Sequence, residues 1–477
     1  MRVLSVAAEI FPLIKTGGLA DVAGALPAAL APKGVEMVSF VPGYPAVMAA
    51  LSEARELYHF PDLAGGQAHL RAGKAKGLSV LVLDAPHLYG RPGNPYLGPD
   101  GKDWHDNGRR FGVFSEVAAN IARGQYGDMK FDLLHAHDWQ AALAPAYLRY
   151  RGGPKSLLTI HNIAFQGVFA PELFVTLNLP PHAYALDGVE YYGNVSFLKG
   201  GLASASALST VSPTYAQEIC TANYGMGMEG LLQSRKDSLS GIVNGIDDAI
   251  WNPATDAALK ETYTAKTLDK RAANKRELER RFGLQPGDGI IHGIVSRLTW
   301  QKGLDIFASL IGDVVAAGAR VAVVGTGEPG IEQAFRAAAS RYAGRVGLVT
   351  AYDEQLSHLI QGGADTMLVP SRFEPCGLTQ LYGLRYGCVP VVARVGGLAD
   401  TIIDANDAGL AAGVATGLQF VPVDGLTLGA TMARTHHLYA QPEIWRGLQQ
   451  RGMATDVSWG RSAAAYAALY KSILSGK

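Results

Sequence analysis

The chain has 477 residues, too many for one ordinary hydrophobic core, so two or three domains are expected. Lysine plus arginine and aspartate plus glutamate each number 42, which leaves no net charge to draw the protein onto nucleic acid or an anionic membrane. The three cysteines, Cys220, Cys376 and Cys388, are odd in number and far apart, so they offer neither a disulfide framework nor a CxxC metal pair and suit the reducing cytoplasm.

The first segment, MRVLSVAAEIFPLIK, is apolar, but Glu9 and Lys15 interrupt it before a signal-peptide core could form. No later stretch approaches the ~18 apolar residues that span a bilayer. The run RVLSVAA predicts a strand, KTGG a turn, and the segment from Gly18 a helix, with Leu19, Val22, Leu26 and Leu30 on one face. Pro27 removes one of its hydrogen bonds and predicts a kink. The runs LSVLVLDA, FDLLHAH, SLLTIHN and ALSTVS follow in the first half, and GIIHGIVS, RVAVVGTG, RVGLVT, DTMLVPS and VPVVAR in the second. Each precedes a turn and a helically spaced segment, which predicts α/β parallel sheets covered by helices on both faces. An Asn-Gly turn and an Asn-Pro pair bracket GIVNGIDDAIWNP, so the domains are drawn as 1–240, 241–455 and a closing C-terminal helix, 456–477, able to pack on either half. Ligands of such sheets bind at the carboxyl ends of the strands, so the residues just after each run carry the interest.

After the first run, Gly17 and Gly18 can present backbone N–H groups, the helix start adds partial positive charge and Lys15 a full one. That suits a phosphate; a plain turn with a solvated lysine would read the same way. HAHDWQ places His135, His137 and Asp138 at a strand end, at a spacing unlike structural zinc sites, and TIHNIAFQG adds His161 and Asn162. Both read as polar linings. SRLTWQKG puts Arg297 and Lys302 after the first strand of the second half, where a guanidinium can fork onto two phosphate oxygens and an ammonium acts as a point charge. GTGEPG matches GxGxxG and raises a nicotinamide or flavin oxidoreductase as the rival, yet it follows the second strand and lacks the acidic partner about 20 residues on. It reads better as a phosphate-edge or packing loop. In VPSRFEPCGLTQLYGLRYG, Pro375 is expected in the first turn of a helix, with the N–H groups of Gly377, Leu378 and Thr379 open to an anion and Glu374 at the helix mouth. There is no Asp-x-Asp triplet, so cations and amides would do a metal's work, and no metal or cofactor is expected.

Taken in order, KTGGLADV, HAHDW, HNIAFQG, SFLKGGLASASALSTVSPTYAQEI, YGMGMEGLL with GIVNGID, SRLTWQKG and SRFEPCGLTQLYGLRYG resemble the bacterial glycogen synthase and plant starch synthase family over nearly the whole chain. The resemblance implies the GT-B fold, two Rossmann-like domains facing a deep interdomain cleft that closes on the donor. It implies transfer of glucose from ADP-glucose to the non-reducing end of an α-1,4-glucan with retention. In that scheme Lys15 and the Gly17 and Gly18 amides face the donor phosphates opposite Arg297 and Lys302, which stabilise departing ADP. His161 sits against the transferred glucose, Glu374 near its hydroxyls, and the amides of Gly377, Leu378 and Thr379 on the distal phosphate or sugar. Asp138 and Asn162 contact sugar, Asn244 lies in the interdomain motif, Tyr352 stacks near adenine and Cys376 lies near the donor sugar. Tyr382 stands where many related transferases carry a second glutamate, and Gln140 where many members have a histidine. Use of UDP-glucose, an oxidoreductase, and a silent sugar binder remain the alternatives.

Overall fold

The computed structural model describes residues 1–351 and 353–476. The chain divides into two compact units, Met1–Asn244 together with the segment from Trp459 onward, and Gly245–Ser458. The first unit therefore runs four residues past the break drawn at 240, and the closing helix is part of it.

The first unit contains β1 (Arg2–Val6), β2 (Glu36–Pro42), β3 (Leu51–Phe60), β4 (Ala68–Ala75), β5 (Leu78–Asp84), β6 (Leu133–His137) and β7 (Lys155–Ile160). It continues with β8 (Val168–Phe169), β9 (Glu190–Tyr191), β10 (Asn194–Ser196), β11 (Ala207–Thr210) and β12 (Leu239–Gly241). Nine strands form one sheet in the order β12-β11-β7-β6-β1-β2-β5-β4-β3, and β8, β10 and β9 form a small antiparallel one. From β12 across to β5 the pairing is parallel, and β4 and β3 close one edge as an antiparallel hairpin. Apart from the half-buried edge strand β12, the parallel strands are largely buried, which is why they read as continuous apolar runs.

The helix Gly18–Leu30 buries Leu19, Val22, Leu26 and Leu30 as their spacing requires, and continues through Pro27 to Leu30. Its inner face packs with the C-terminal helix Trp459–Ser475 through Trp459, Ala463, Tyr466 and Tyr470. Two polar contacts pin that helix to the sheet: the Tyr470 hydroxyl lies 2.8 Å from His135 Nδ1, and Lys155 Nζ donates to the Ile473 carbonyl at 2.7 Å.

The second unit contains β13 (Ile291–Val295), β14 (Arg320–Val324), β15 (Val346–Val349), β16 (Thr366–Val369), β17 (Val389–Ala393) and β18 (Leu418–Phe420). They form one fully parallel sheet in the order β15-β14-β13-β16-β17-β18, the Rossmann order. The chain reverses its direction across the sheet between β1 and β6 in the first unit and between β13 and β16 in the second. Loops at the carboxyl ends of those four strands are KTGG, HAHDWQ, SRLTWQKG and SRFEPCGL. Among the described residues no helix is long and apolar enough to cross a membrane.

Candidate active site

In the first unit the KTGG loop is organised by a residue that sequence reading passed over. Glu9 is 3% exposed. Its Oε1 accepts from Thr16 Oγ1 at 2.6 Å and from the Tyr96 hydroxyl at 2.5 Å. Its Oε2 accepts from the Thr16 amide and, at 3.3 Å, from the Gly17 amide. The Gly17 N–H, expected to point at a phosphate, is thus turned onto Glu9. Gly18 opens the helix, where no preceding turn supplies a carbonyl for its N–H. Gly17 leaves open space, since a Cβ there would meet nothing within 4 Å. Lys15 lies over the Phe11 ring and pairs with Asp21 of the first helical turn at 2.7 Å.

Next to β1, the end of β6 holds a stack of histidines. His135 and His137 rings lie 4.0 Å apart, and His137 Nδ1 is 3.0 Å from His161 Nε2. Ser5 Oγ is 3.2 Å from His137 Nε2, and Thr159 Oγ1 is 2.6 Å from His135 Nε2. Burial drives all three imidazoles to the neutral form: His135 and His161 are pushed down to about 3, and His137 well below its ordinary value. The bond to His137 occupies His161 Nε2 and leaves Nδ1 outside it. Asp138 adopts a left-handed backbone conformation (φ 55°) at the start of a short helix. Its Oδ1 accepts from the His161 amide at 2.6 Å and the Asn162 amide at 3.4 Å. Asp138 was expected on the sugar; here it holds the backbone of HNIAF. Burial raises its carboxyl to about 7 against the pull of those two amides. Asn162 Oδ1 closes an Asx turn on the Ala164 amide at 3.0 Å. Asn244 is buried, and its Oδ1 has no hydrogen-bond partner among the described residues.

In the second unit the two loops at the switch point are stitched together. Lys302 Nζ lies 2.6 Å from Glu374 Oε2, and both side chains are largely buried. Ser371 Oγ donates to the same oxygen at 2.8 Å, which leaves Glu374 Oε1 outside both bonds. The expectation put Lys302 on phosphate and Glu374 on sugar; the fold makes them one ion pair. Gly303, at φ 65°, lets the loop approach, because a Cβ there would come within 1.9 Å of the Pro370 carbonyl oxygen. Arg372 forks onto Asp305 at 2.6 and 2.7 Å and lies over Trp300, and its amide donates to the Gln301 carbonyl. Arg297 is exposed, and no ion pair of the described residues includes it.

The helix expected to begin at Pro375 begins at Thr379, with Leu378 as its cap. The reason is Gly377: at φ 74° it turns the chain after Cys376. Gln380 then folds back to donate to the Cys376 and Gly377 carbonyls at 3.0 and 2.9 Å. Of the three amides expected for the anion, only Thr379 belongs to the helical first turn. Cys376 is buried, and Gly397 donates to the Glu374 carbonyl at 3.1 Å. Tyr352 lies outside the described residues. Tyr382 stacks on Trp251 at 3.6 Å, and His358 stacks on that indole's ring at 3.8 Å, so this position serves an aromatic sandwich.

GTGEPG is a packing loop. A Cβ on Gly325 or Gly327 would come within 1.8 Å of the Ser296 or 2.2 Å of the Leu298 carbonyl oxygen, and the Gly327 amide donates to Glu332 at 2.8 Å. Gly325 and Gly327 serve the SRLTWQKG backbone, and a carboxylate takes an amide that a dinucleotide pyrophosphate would need.

Comparison with known proteins agrees with this layout. The starch synthase catalytic domain model matches residues 2–234, and the glycosyl transferases group 1 model matches residues 290–418. A glycogen synthase of Mesorhizobium japonicum is 56% identical over 477 residues, covering 100% of this chain and 99% of the relative. A glycogen synthase of Novosphingobium aromaticivorans is 55% identical, with 99% of each chain covered. The catalytic domain of starch synthase IV from Arabidopsis thaliana, bound to ADP and acarbose, superimposes with a TM-score of 0.89 at 30% identity over 99% of each chain. A sucrose-phosphate synthase from Thermosynechococcus elongatus, at 17% identity and a TM-score of 0.63 over 100% of each chain, shares the fold. With two Rossmann-like units of the GT-B class and full-length relatives at this level of identity, the chain belongs to the bacterial glycogen synthase family of glycosyltransferases.

Proposed function

We propose that the protein transfers glucose from ADP-glucose to the non-reducing end of an α-1,4-glucan with retention of configuration and without a metal on the pyrophosphate. The observation that carries the reading is the second unit's switch point, where the Lys302–Glu374 pair stands in the same strand-end region as Arg297, which pairs with no carboxylate among the described residues. A guanidinium with no carboxylate partner among the described residues suits two phosphate oxygens, and the largely buried Lys302 adds a point charge. Glu374, held by Lys302 and Ser371 through one oxygen, offers the other to glucose hydroxyls. Lys15 and the Gly18 amide are assigned to the donor phosphates, and Gly17 to leaving room for them. His161, neutral and fixed through Nε2, is assigned to the transferred glucose by Nδ1; Asp138 and Asn162 hold its loop, and the orphaned Asn244 oxygen awaits a donor from a ligand. Gly377, Leu378, Thr379 and Cys376 would line the far phosphate or sugar.

In the reaction the C1–O bond to the β-phosphate breaks as the acceptor hydroxyl bonds to C1 from the same face. The hydroxyl proton passes to the departing phosphate oxygen. Arg297, Lys302 and Lys15 stabilise the charge that gathers on ADP, and no protein nucleophile is assigned. The reading places the work in the cytoplasm, where the three cysteines stay reduced.

The test is incorporation of labelled glucose into glycogen by the purified chain from ADP-glucose and UDP-glucose in parallel, each with and without EDTA. Transfer from ADP-glucose that survives EDTA is the expected result. Transfer from UDP-glucose alone overturns the donor, loss with EDTA overturns the metal-free step, and no transfer from either overturns the reading.

A further inference from the structure

We propose that the edge hairpin of the first unit, β3–β4, carries a binding site for a zinc-class divalent cation formed by Glu56, His59 and His69. His59 and His69 are directly opposed in the antiparallel pairing, which puts both side chains on one face of the hairpin. Glu56 lies three positions before His59 and on a regular strand would point to the other face. The register irregularity between Glu56 and Tyr58 inserts one extra residue, so Glu56 opposes Arg71 and returns to the histidine face. The intervening Tyr58 and the following Phe60 face the other way, where both rings contact Tyr126. The bulge thus sorts the strand into a packed aromatic side and a ligand side.

The two imidazole nitrogens on the ligand side stand at the spacing of a small tetrahedral ion, and the exposed Glu56 carboxylate, now bonded to His69, reaches the third position by a side-chain rotation. His59 Nδ1 and His69 Nδ1 are 3.4 Å apart, and Glu56 Oε2 is 2.8 Å from His69 Nδ1. The three candidate ligand atoms all lie within 4.8 Å of one another. Zinc bound at about 2.0–2.1 Å to each nitrogen in tetrahedral geometry separates the nitrogens by about 3.3–3.4 Å. Two nitrogens and a carboxylate oxygen leave a fourth position to water, and β3 is the sheet's edge strand, so its outer side is open to receive it. The nearby charges offset one another: Arg71, on the same face, is held by Asp84 at 2.7 Å. The site lies on a different strand pair from the KTGG and histidine-stack loops.

The full-length chain, stripped with EDTA and dialysed, is titrated with Zn²⁺ by calorimetry and with Co²⁺ by visible absorption. One ion per chain with a micromolar Kd, a tetrahedral cobalt spectrum and a melting temperature raised by Zn²⁺ are expected. H59A and H69A should each weaken binding at least 100-fold, E56Q at least tenfold, and H105A, at an exposed histidine outside the hairpin, should leave it unchanged. The substituted side chains are at the surface, so melting temperatures without metal should match the unsubstituted chain. Binding weaker than millimolar, or binding that survives H59A and H69A unchanged, overturns the site.

Discussion

Replacing Glu9 tests the claim that one buried carboxylate holds the KTGG loop in shape. It accepts four hydrogen bonds, two on each oxygen: the Thr16 and Tyr96 hydroxyls on Oε1, the Thr16 and Gly17 amides on Oε2. A hydrogen bond to a charged acceptor contributes roughly 1.5–3 kcal/mol. Thr16 and Gly17 are exposed, so water recovers part of what Glu9→Ala removes, and counting only two of the four bonds at the lower figure gives a loss of about 3 kcal/mol. If that loss falls on the loop conformation the transition state needs, kcat/KM drops by about two decades at 1.36 kcal/mol per decade. Glu9→Gln should do much less. Its amide oxygen can take the Oε2 position and keep both backbone donors, while its NH2 faces two hydroxyls that can reverse to accept, so a loss under tenfold is expected. The assay is kcat/KM for ADP-glucose at saturating glycogen, with melting temperatures alongside. Glu9→Ala within twofold of the unsubstituted enzyme refutes the reasoning; Glu9→Gln as damaging as Glu9→Ala refutes the hydrogen-bond argument and makes charge the deciding property.

The histidine stack predicts acid lability. With His135 and His161 lowered to about 3 from 6.5, the stability they contribute is complete above pH 6.5 and is lost as the pH falls toward 3, at about 1.4 kcal/mol per pH unit for each. Urea unfolding between pH 7 and pH 4 measures that slope, and a flat profile contradicts it. Asp138 acts in the opposite sense: with its carboxyl raised to about 7 from 3.8, stability from its protonated form is complete below pH 3.8 and lost as the pH rises through 7. Asp138→Asn should therefore gain on the unsubstituted protein between pH 5 and pH 8 in thermal melts; a constant difference argues against it. Arg297→Lys should cut kcat/KM at least tenfold while stability stays within about 0.5 kcal/mol, as for an exposed side chain. Lys302→Met should lower both, by about 3 kcal/mol in stability, because it strands the buried Glu374 charge; equal melting temperatures for the two variants would show the pair is not buried in solution. Tyr382→Glu should cost about 2 kcal/mol by removing one face of the Trp251 sandwich, and a variant as stable as the unsubstituted chain would sink that account.

The sheets and the strand-end loops were legible because buried parallel strands write themselves as short apolar runs, and because chain order places the functional loops just after them. From its position after the second strand GTGEPG read as either a phosphate-edge or a packing loop, and the fold packs Gly325 and Gly327. What escaped were partnerships across long sequence separations. Glu9 looked like a charge interrupting an apolar segment; only the fold brings Tyr96, 87 residues away, onto its oxygen. Lys302 and Glu374 were each found, but their union spans 72 residues and no local pattern encodes it. The helix start was misplaced from Pro375 to Thr379 because proline at a first turn is a local rule, whereas Gly377 and the fold-back of Gln380 set the real cap. The one available signal was Glu9 itself: a carboxylate inside an otherwise buried strand exit has to be satisfied by something.

The C-terminal helix that packs on Gly18–Leu30 has a consequence for how the protein is made. The core of the first unit includes Tyr466, Tyr470 and Ile473, residues that the ribosome adds only after the whole of the second unit. During synthesis the second unit has all of its sequence in hand before the first does, reversing the usual order in which N-terminal domains finish first. Until that helix emerges, Val22, Leu26 and Leu30 have no partner helix, and the nascent chain carries an uncovered apolar face for the time it takes to add more than four hundred residues. A stalled or truncated product would expose that face permanently, so quality control by chaperones has its natural point of attack on the half of the protein that was started first.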